Sequence, residues 1–347
     1  MIKSLTSLRG IFILFIFFHH CNIYPGGGTM AVAFFFVLSC FCMTLGYKDR
    51  ILSPEFNYRN YITRRLIKYF PLHWLTLFAA LPFVSLSFNK STLFTLVVNA
   101  VLIQTWIPIK SVFFSFNAVS WYLANTIFFV VVFPFILRFI LKISTKCRFM
   151  TVGIVIVLYT TLFLLLPHNL YHAILYISPY IRLTDFVLGI FLALGYIRLK
   201  ESLLGRVNLI LWHIIVFSLI MLLVLESCLL SEYLTFVAPV YWFFVSLLIL
   251  TTSLNPLYGN LLENKYIYRI GELSFTIFLT HKLVLKYTLL LFKILNVEND
   301  LLFVCIAFLL TIVISAITDR YILKTTTQWL TKKIQPSMIA QSLNCPK

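Results

Sequence analysis

Residues 7–20, with the sequence SLRGIFILFIFFHH, form an apolar run that has an arginine near one end and two histidines at the other. Arg9 and His20 are eleven residues apart. At about 100° per residue this separation is close to three helical turns, so both side chains lie on one helix face. Their Cα atoms would be roughly 16 Å apart, about half the hydrocarbon thickness of a membrane. His19 points about 80° away from Arg9 and is the weaker candidate for a paired function.

Two interpretations of this stretch fit the spacing. In the first, Arg9 and His20 anchor the two ends of a span, each reaching the headgroup layer. In the second, both lie inside the membrane, where ionisable groups are costly and usually line a functional cavity. The spacing alone leaves both open.

The composition places the whole chain in a membrane. Of 347 residues, 61% are hydrophobic and only 11% are charged, whereas a soluble chain has about 25% charged residues. Apolar runs near 20 residues recur, which predicts an all-α polytopic membrane helical bundle. The seven cysteines are scattered, and no cysteine or histidine group has the spacing of metal ligands, so no metal site is predicted.

The distribution of positive charge predicts the topology. The net charge of +17 could indicate a nucleic-acid partner, but the positive residues lie in loops between apolar segments, which is the positive-inside pattern. The sequence therefore predicts a lipid bilayer as the partner and no nucleic acid. Eleven apolar segments are visible, at about 4–22, 29–47, 69–88, 91–107, 118–137, 149–166, 181–197, 208–226, 233–252, 270–292 and 299–319.

Segment 91–107 is the shortest plausible span, and its polar and aromatic end suits a membrane interface. If it does not cross, about ten transmembrane helices remain and both termini are cytoplasmic. In that arrangement 22 of the 28 lysines and arginines lie on the inner side. We therefore predict one membrane domain, residues 1–335, followed by a short cytoplasmic tail, residues 336–347.

Several motifs along the chain share one family resemblance. They are RGIFILFIFFHH at 9–20, FFFVLSC at 34–40, RRLIKYFP at 64–71, SWYLANTIFFVVVFP at 120–134, SPYIRLTDFVLG at 178–189 and RIGELSFTIFLTHK at 269–282. Together they resemble the integral-membrane acyltransferase-3 family, whose first span opens with Arg-Gly and has a histidine eleven residues after the arginine. The resemblance covers most of the chain and implies the same ten-span topology.

The chain departs from the family pattern at five positions. Cys40 stands where a glycine is usual, which predicts a slightly wider helix crossing there. Lys68 replaces a second arginine and keeps the charge but loses the bidentate fork. Thr126 stands in the place of a glutamate, and Phe275 and Phe278 replace two tyrosines. A carboxylate that relatives carry at the position of Thr126 is therefore missing here or supplied elsewhere.

The resemblance implies a function. Known members move an acyl group, commonly acetyl, from cytoplasmic acyl-coenzyme A to a hydroxyl on an extracytoplasmic glycan. By resemblance, the donor substrate is acetyl-coenzyme A or another acyl-coenzyme A, with no metal required. The acceptor is a surface polysaccharide, such as lipopolysaccharide O-antigen, or a lipid-linked sugar. The location is the bacterial inner membrane.

The same resemblance suggests roles for residues. His20 is expected to act as general base on the acceptor hydroxyl or to carry the acyl group transiently, and Arg9 to lie on the donor path. Arg64, Arg65 and Lys68 are candidates for binding the donor phosphates. The alternative for these three cations is a topogenic cluster beside anionic lipid.

Four further residues are candidates for binding the acceptor or supporting the site: Ser39, Arg182, Asp185 and His281. Ser39 could equally form a hydrogen bond between helices. Arg182 and Asp185 are one helical turn apart and could form only a local ion pair. In the functional alternative, Asp185 positions acceptor hydroxyls or His20.

Two other functions compete with acyl transfer. A transporter for a lipid-linked sugar would line its path with the same charged residues, although no inverted repeat is visible. A non-catalytic partner in a glycan-assembly complex would explain the lost glutamate and tyrosines. The first predicts glycan movement without chemical change, and the second predicts that replacing Arg9 or His20 has no effect.

Overall fold

The computed structural model describes residues 2–24, 26–84, 90–203, 208–229, 238–254 and 261–334, and the regular elements in these ranges are all helical. The predicted tail, residues 336–347, lies outside them. The α-helices are α1 Lys3–His20, α2 Gly27–Leu52, α3 Tyr58–Ala80, α4 Lys90–Ala100, α5 Lys110–Phe113, α6 Ser120–Lys142, α7 Thr145–Leu165, α8 Pro179–Leu203, α9 Leu209–Leu229, α10 Ala238–Ser253, α11 Lys265–Ile294, α12 Asp300–Ile317 and α13 Lys324–Ile334.

Eight helices in the described part of the chain are long and apolar enough to cross a membrane: α2, α3, α6, α7, α8, α9, α11 and α12. The structure thus confirms the predicted all-α polytopic membrane bundle. Helix α1 carries Lys3, Arg9 and two histidines, and α10 is short, so neither belongs to this group. The count of about ten crossings stays a prediction. Helix α4 has 11 residues, about 16 Å, which is too short to cross.

Helix α1 contacts α11 at a pair of glycines. A Cβ atom on Gly10 would lie 2.5 Å from the carbonyl oxygen of Ile267, and one on Gly271 would overlap the carbonyl oxygen of Thr6. The two backbones can therefore approach only because both positions lack a side chain. This contact brings α1, the helix with Arg9 and His20, directly against the helix with His281.

The glycine crossing gives a first prediction. Gly271→Ala is expected to destabilise the folded protein by about 1–3 kcal/mol, because the new methyl group meets backbone atoms that cannot rotate away. Gly195→Ala in α8 is the matched control, since no described atom lies within 4 Å of its added Cβ. The measurement is the midpoint of thermal unfolding in detergent. Equal midpoints for the two variants would contradict a tight α1–α11 contact.

The crossing of α2 and α8 shows how Cys40 is accommodated where the family usually has a glycine. Cys40 is fully buried, and a Cβ atom on Gly189 would lie 2.8 Å from its Cβ atom. The glycine that allows close approach is therefore on α8. The wider crossing that Cys40 predicted is not needed, because the partner helix supplies the space.

Candidate active site

A cavity of about 280 Å³ lies between α1, α2, α3, α6, α8 and α11, and we call it the Arg9 cavity. Three cations from two segments of the sequence line it: Arg9 from α1, and Arg65 and Lys68 from α3. The predicted donor-path arginine and two of the three predicted phosphate-binding residues therefore share one cavity. Arg64 is exposed and is not part of its lining.

Arg65 is held in place by aromatic rings. Its guanidinium carbon is 4.6 Å from the centre of the Tyr47 ring and 5.7 Å from that of Tyr61. Its Nε atom is buried and has no hydrogen-bond partner among the described residues. An arginine that lines a cavity, stacks on aromatic rings and has no carboxylate partner among the described residues is suited to binding an anion.

Hydroxyl groups also line the Arg9 cavity. Ser39 and Ser274 both contribute to the wall, and the Ser274 hydroxyl is buried without a partner in the part of the chain that the structure describes. The Tyr122 hydroxyl interacts with Ser39 and Thr126. These donors could stabilise an oxygen that develops negative charge.

Among the described residues, none that lines the cavity carries a carboxylate. Thr126, in the place of the family glutamate, lines the cavity, but its hydroxyl donates to the carbonyl oxygen of Tyr122 at 2.8 Å on its own helix. Asn125 does not line the cavity, and its Nδ2 atom donates to the carbonyl oxygen of Ile177 at 2.8 Å. Among the residues that line the cavity, nothing replaces the missing carboxylate.

A second cluster, which we call the His20 site, consists of His20, His281 and Lys282. The rings of His20 and His281 stack with centroids 5.1 Å apart and planes inclined by 28°. Nζ of Lys282 lies 3.3 Å from Nδ1 of His20. The His19 ring also lies beside His20, with the two ring centroids 5.0 Å apart, and it packs against Gly28, where an added Cβ atom would come within 2.5 Å of it.

His281 is held in one tautomer. Its Nδ1 atom is 3.0 Å from the carbonyl oxygen of Ile277, and since a carbonyl oxygen only accepts, Nδ1 must carry the proton. Its Nε2 atom then has a lone pair, and it is buried without a partner among the described atoms. In its neutral form, His281 therefore has an unpartnered basic nitrogen in the site that it shares with His20.

The rings of Phe36, Tyr122 and Phe278, which we call the aromatic partition, separate the Arg9 cavity from the His20 site. The Tyr122 ring centroid is 4.5 Å from that of Phe36 and 4.7 Å from that of Phe278. The Phe278 ring is in turn 6.0 Å from the ring of His281. Because all three line the cavity, this aromatic partition forms its end nearest to the histidines.

Arg182 and Asp185 form a buried ion pair. Nη1 of Arg182 lies 2.7 Å from Oδ2 of Asp185, and both side chains are almost fully buried, at 2% and 1% exposure. Trp242 donates from Nε1 to the other carboxylate oxygen at 2.5 Å. Arg182 also donates from Nε to the carbonyl oxygen of Tyr176 at 2.9 Å. Both oxygens of Asp185 are thus engaged away from His20, which favours the local ion pair over the positioning role.

Sequence patterns alone do not indicate two residues of this arrangement. Lys282 ends the motif RIGELSFTIFLTHK and directly follows His281. Tyr122 lies within the motif SWYLANTIFFVVVFP, where no charge distinguishes it from its neighbours. The signal for Lys282 was a lysine within an apolar segment, which is rare enough to indicate a function.

The comparisons with known proteins show the family of the chain. A family described as "Acyltransferase domain", the acyltransferase-3 family, matches residues 2–320. The chain is similar to "Acyltransferase MdmB" from Streptomyces mycarofaciens, with 30% identity over 125 residues. That similarity covers 34% of this chain and 31% of the relative, so the chain spans about a third of the relative it matches. No solved structure matches the chain. Because the family match extends over nearly all of its helices, the protein belongs to the acyltransferase-3 family.

Proposed function

We propose that the protein is a membrane-bound O-acyltransferase of the bacterial inner membrane, with both termini in the cytoplasm. It moves an acyl group, most simply acetyl, from cytoplasmic acyl-coenzyme A to a hydroxyl of an extracytoplasmic or lipid-linked surface polysaccharide. One observation carries the proposal. A single helix, α1, connects a cavity lined by Arg9, Arg65 and Lys68 with the site that contains His20 and His281.

The arrangement suits a donor with a charged end and a long, thin arm. The phosphates of acyl-coenzyme A cannot enter hydrocarbon, whereas the arm that ends in the thioester can. Arg65 and Lys68 would bind the phosphates, because both cations line the cavity and neither pairs with a carboxylate among the described residues. Arg9 lies farther along the route of the arm, and the aromatic partition must open for the thioester to reach His20.

His20 lies where the two substrates would meet. As general base, it takes the proton of the acceptor hydroxyl while that oxygen attacks the thioester carbonyl. A carbon–oxygen bond then forms, the carbon–sulfur bond breaks, and the leaving thiolate receives the proton from the imidazole. As nucleophile, a His20 nitrogen would first take the acyl group as the carbon–sulfur bond breaks and the thiolate of coenzyme A leaves. The acceptor oxygen would then take the acyl group as the carbon–nitrogen bond breaks, and the hydroxyl proton would balance the charge of the departed thiolate. The free lone pair of His281 can hold a proton in either route.

The donor site gives a second prediction. Arg65→Ala is expected to raise KM for acetyl-coenzyme A by about 10- to 100-fold, the value of a lost hydrogen bond to a charged group. Arg64→Ala is the matched control, because this neighbouring arginine does not line the cavity. The measurement is the rate of coenzyme A release as a function of donor concentration. Equal effects of the two substitutions would instead favour a cluster that only sets topology.

The function is tested by mass spectrometry of surface glycans. Three strains are compared: one with the gene deleted, one with it restored, and one restored with His20→Ala. The expected result is a mass increment of one acyl group in the strain with the intact histidine alone, which also identifies the acceptor. Unchanged acylation with altered glycan abundance or location would instead support a transporter.

A further inference from the structure

The cavity-facing side of α11 continues beyond the aromatic partition. Phe275 and Phe278 line the Arg9 cavity. Lys282 and Lys286 follow Phe278 at successive steps of four residues, so all four side chains share one helix face. Lys282 belongs to the His20 site. The two lysines therefore extend the same path past the histidines, on the side away from the donor cations.

Both lysines are held in place but lack an anionic partner. Nζ of Lys282 lies 3.3 Å from Nδ1 of His20, and Nζ of Lys286 lies 5.5 Å from the centre of the Phe83 ring. Neither forms an ion pair with any carboxylate in the described ranges. The two ammonium groups repel each other, and each is half-buried. Two unpaired like charges within a membrane helix are costly unless an anion binds between them.

We propose that Lys282 and Lys286 bind an anionic group, a carboxylate or a phosphate, on the acceptor. This inference rests on the proposed function and names the class of its acceptor: a sugar that carries negative charge. The donor's phosphates are not the ligand, because their cations, Arg65 and Lys68, line the cavity on the other side of the aromatic partition. Lysine suits this role as a compact point charge.

Binding of the anion also changes His20. In the present structure Nδ1 of His20 is the acceptor for the Lys282 ammonium, so its lone pair is engaged. An anion next to Lys282 competes for the hydrogen bonds of the ammonium and offsets its positive charge. With that charge offset, the imidazolium that forms when Nδ1 of His20 takes the proton of the acceptor hydroxyl is less strongly repelled by Lys282. Anionic acceptors are therefore favoured both in binding and in the chemical step.

The test uses the full-length protein in lipid nanodiscs with acetyl-coenzyme A and three acceptors that share one ring: glucose, glucuronate and glucose 6-phosphate. Acetylated sugar is measured by mass spectrometry. For the wild type, kcat/KM for at least one anionic acceptor is expected to exceed that for glucose by about tenfold or more. The advantage is expected to fall with added salt. The better of the two anionic acceptors shows whether a carboxylate or a phosphate is recognised.

Substitutions test whether the lysines cause the preference for anionic acceptors. Lys286→Gln is expected to lose most of this preference, whereas Lys286→Arg, which keeps the charge, retains it. Lys90→Gln is the control, because it removes an exposed lysine at the start of α4. Equal rates with all three acceptors, or a preference that survives Lys286→Gln, would overturn the inference.

The two proposals fail in different ways. If no coenzyme A is released with any of the three sugars, and the surface glycans of the restored strain carry no acyl group, acyl transfer itself is refuted. The role of the lysines is then decided without turnover. Saturation-transfer NMR measures the binding of glucuronate and of glucose to the wild type and to Lys286→Gln. Stronger binding of glucuronate than of glucose by the wild type, lost in Lys286→Gln, supports the anion site. Identical binding of the two sugars by the wild type refutes it.

Discussion

His20→Ala is expected to lower the rate of acyl transfer by about 100- to 10,000-fold, the range for loss of a general acid–base group. The physical reason is the position of the ring, which stacks on His281 and lies within hydrogen-bond reach of Lys282. The measurement is the formation of acylated acceptor by purified protein at saturating acetyl-coenzyme A. KM for the donor is expected to change little, because the donor cations lie on the other side of the aromatic partition.

The control for this substitution is His168→Ala. His168 is exposed, lies between α7 and α8, and is not part of the His20 site. Its loss is expected to leave the rate near that of the wild type. Normal transfer by His20→Ala would contradict a catalytic role for His20.

A trapping experiment separates the two routes through His20. The protein is incubated with isotopically labelled acetyl-coenzyme A in the absence of acceptor, quenched and digested. A labelled peptide that contains His20, absent from His20→Ala, would show the acyl-histidine route. Unlabelled peptide together with full transfer activity would show that His20 acts as a base.

Asp185→Ala is expected to cost about 3–5 kcal/mol of stability, because it leaves the Arg182 guanidinium buried without its counter-charge. Arg182 is only 2% exposed, so water cannot replace the lost carboxylate. Trp242 loses its hydrogen-bond acceptor in the same step. The measurement is thermal unfolding in detergent, read as the midpoint of the transition and the yield of folded protein.

Two comparison variants identify the cause of this loss. Asp49→Ala removes an exposed ion pair with Lys48 and is expected to cost no more than about 1 kcal/mol. The double variant Arg182→Met with Asp185→Leu is expected to recover much of the stability, because both charges are removed together. A stable Asp185→Ala protein that is inactive would instead support the positioning role for Asp185.

Much of the fold followed from local properties of the sequence. Apolar runs predicted helices at the right places, since an α-helix and its membrane-spanning length depend on neighbouring residues. The short segment 91–107 was predicted not to cross, and the 11-residue helix Lys90–Ala100 agrees with that prediction. The wider crossing predicted from Cys40 did not take Gly189 into account, because the contact between the two joins residues distant in sequence.

The candidate site was predicted only in part. The eleven-residue spacing placed Arg9 and His20 on α1, and motifs placed Arg65, Lys68 and His281 on other helices. Which of these side chains meet depends on the direction in which each helix turns its face. That direction is set by packing against other helices, so the sequence grouped Arg64 with Arg65 although only Arg65 lines the cavity.

The sequence by itself determined the membrane class, the helices and the pair Arg9 and His20, because composition and the 3.6-residue period act within one segment. Only the tertiary structure decided that α1 lies against α11 through Gly10 and Gly271. It alone placed Lys282 at His20 and Trp242 at Asp185. These contacts join residues far apart in the chain, and they arise from close packing between helices, which no local pattern encodes.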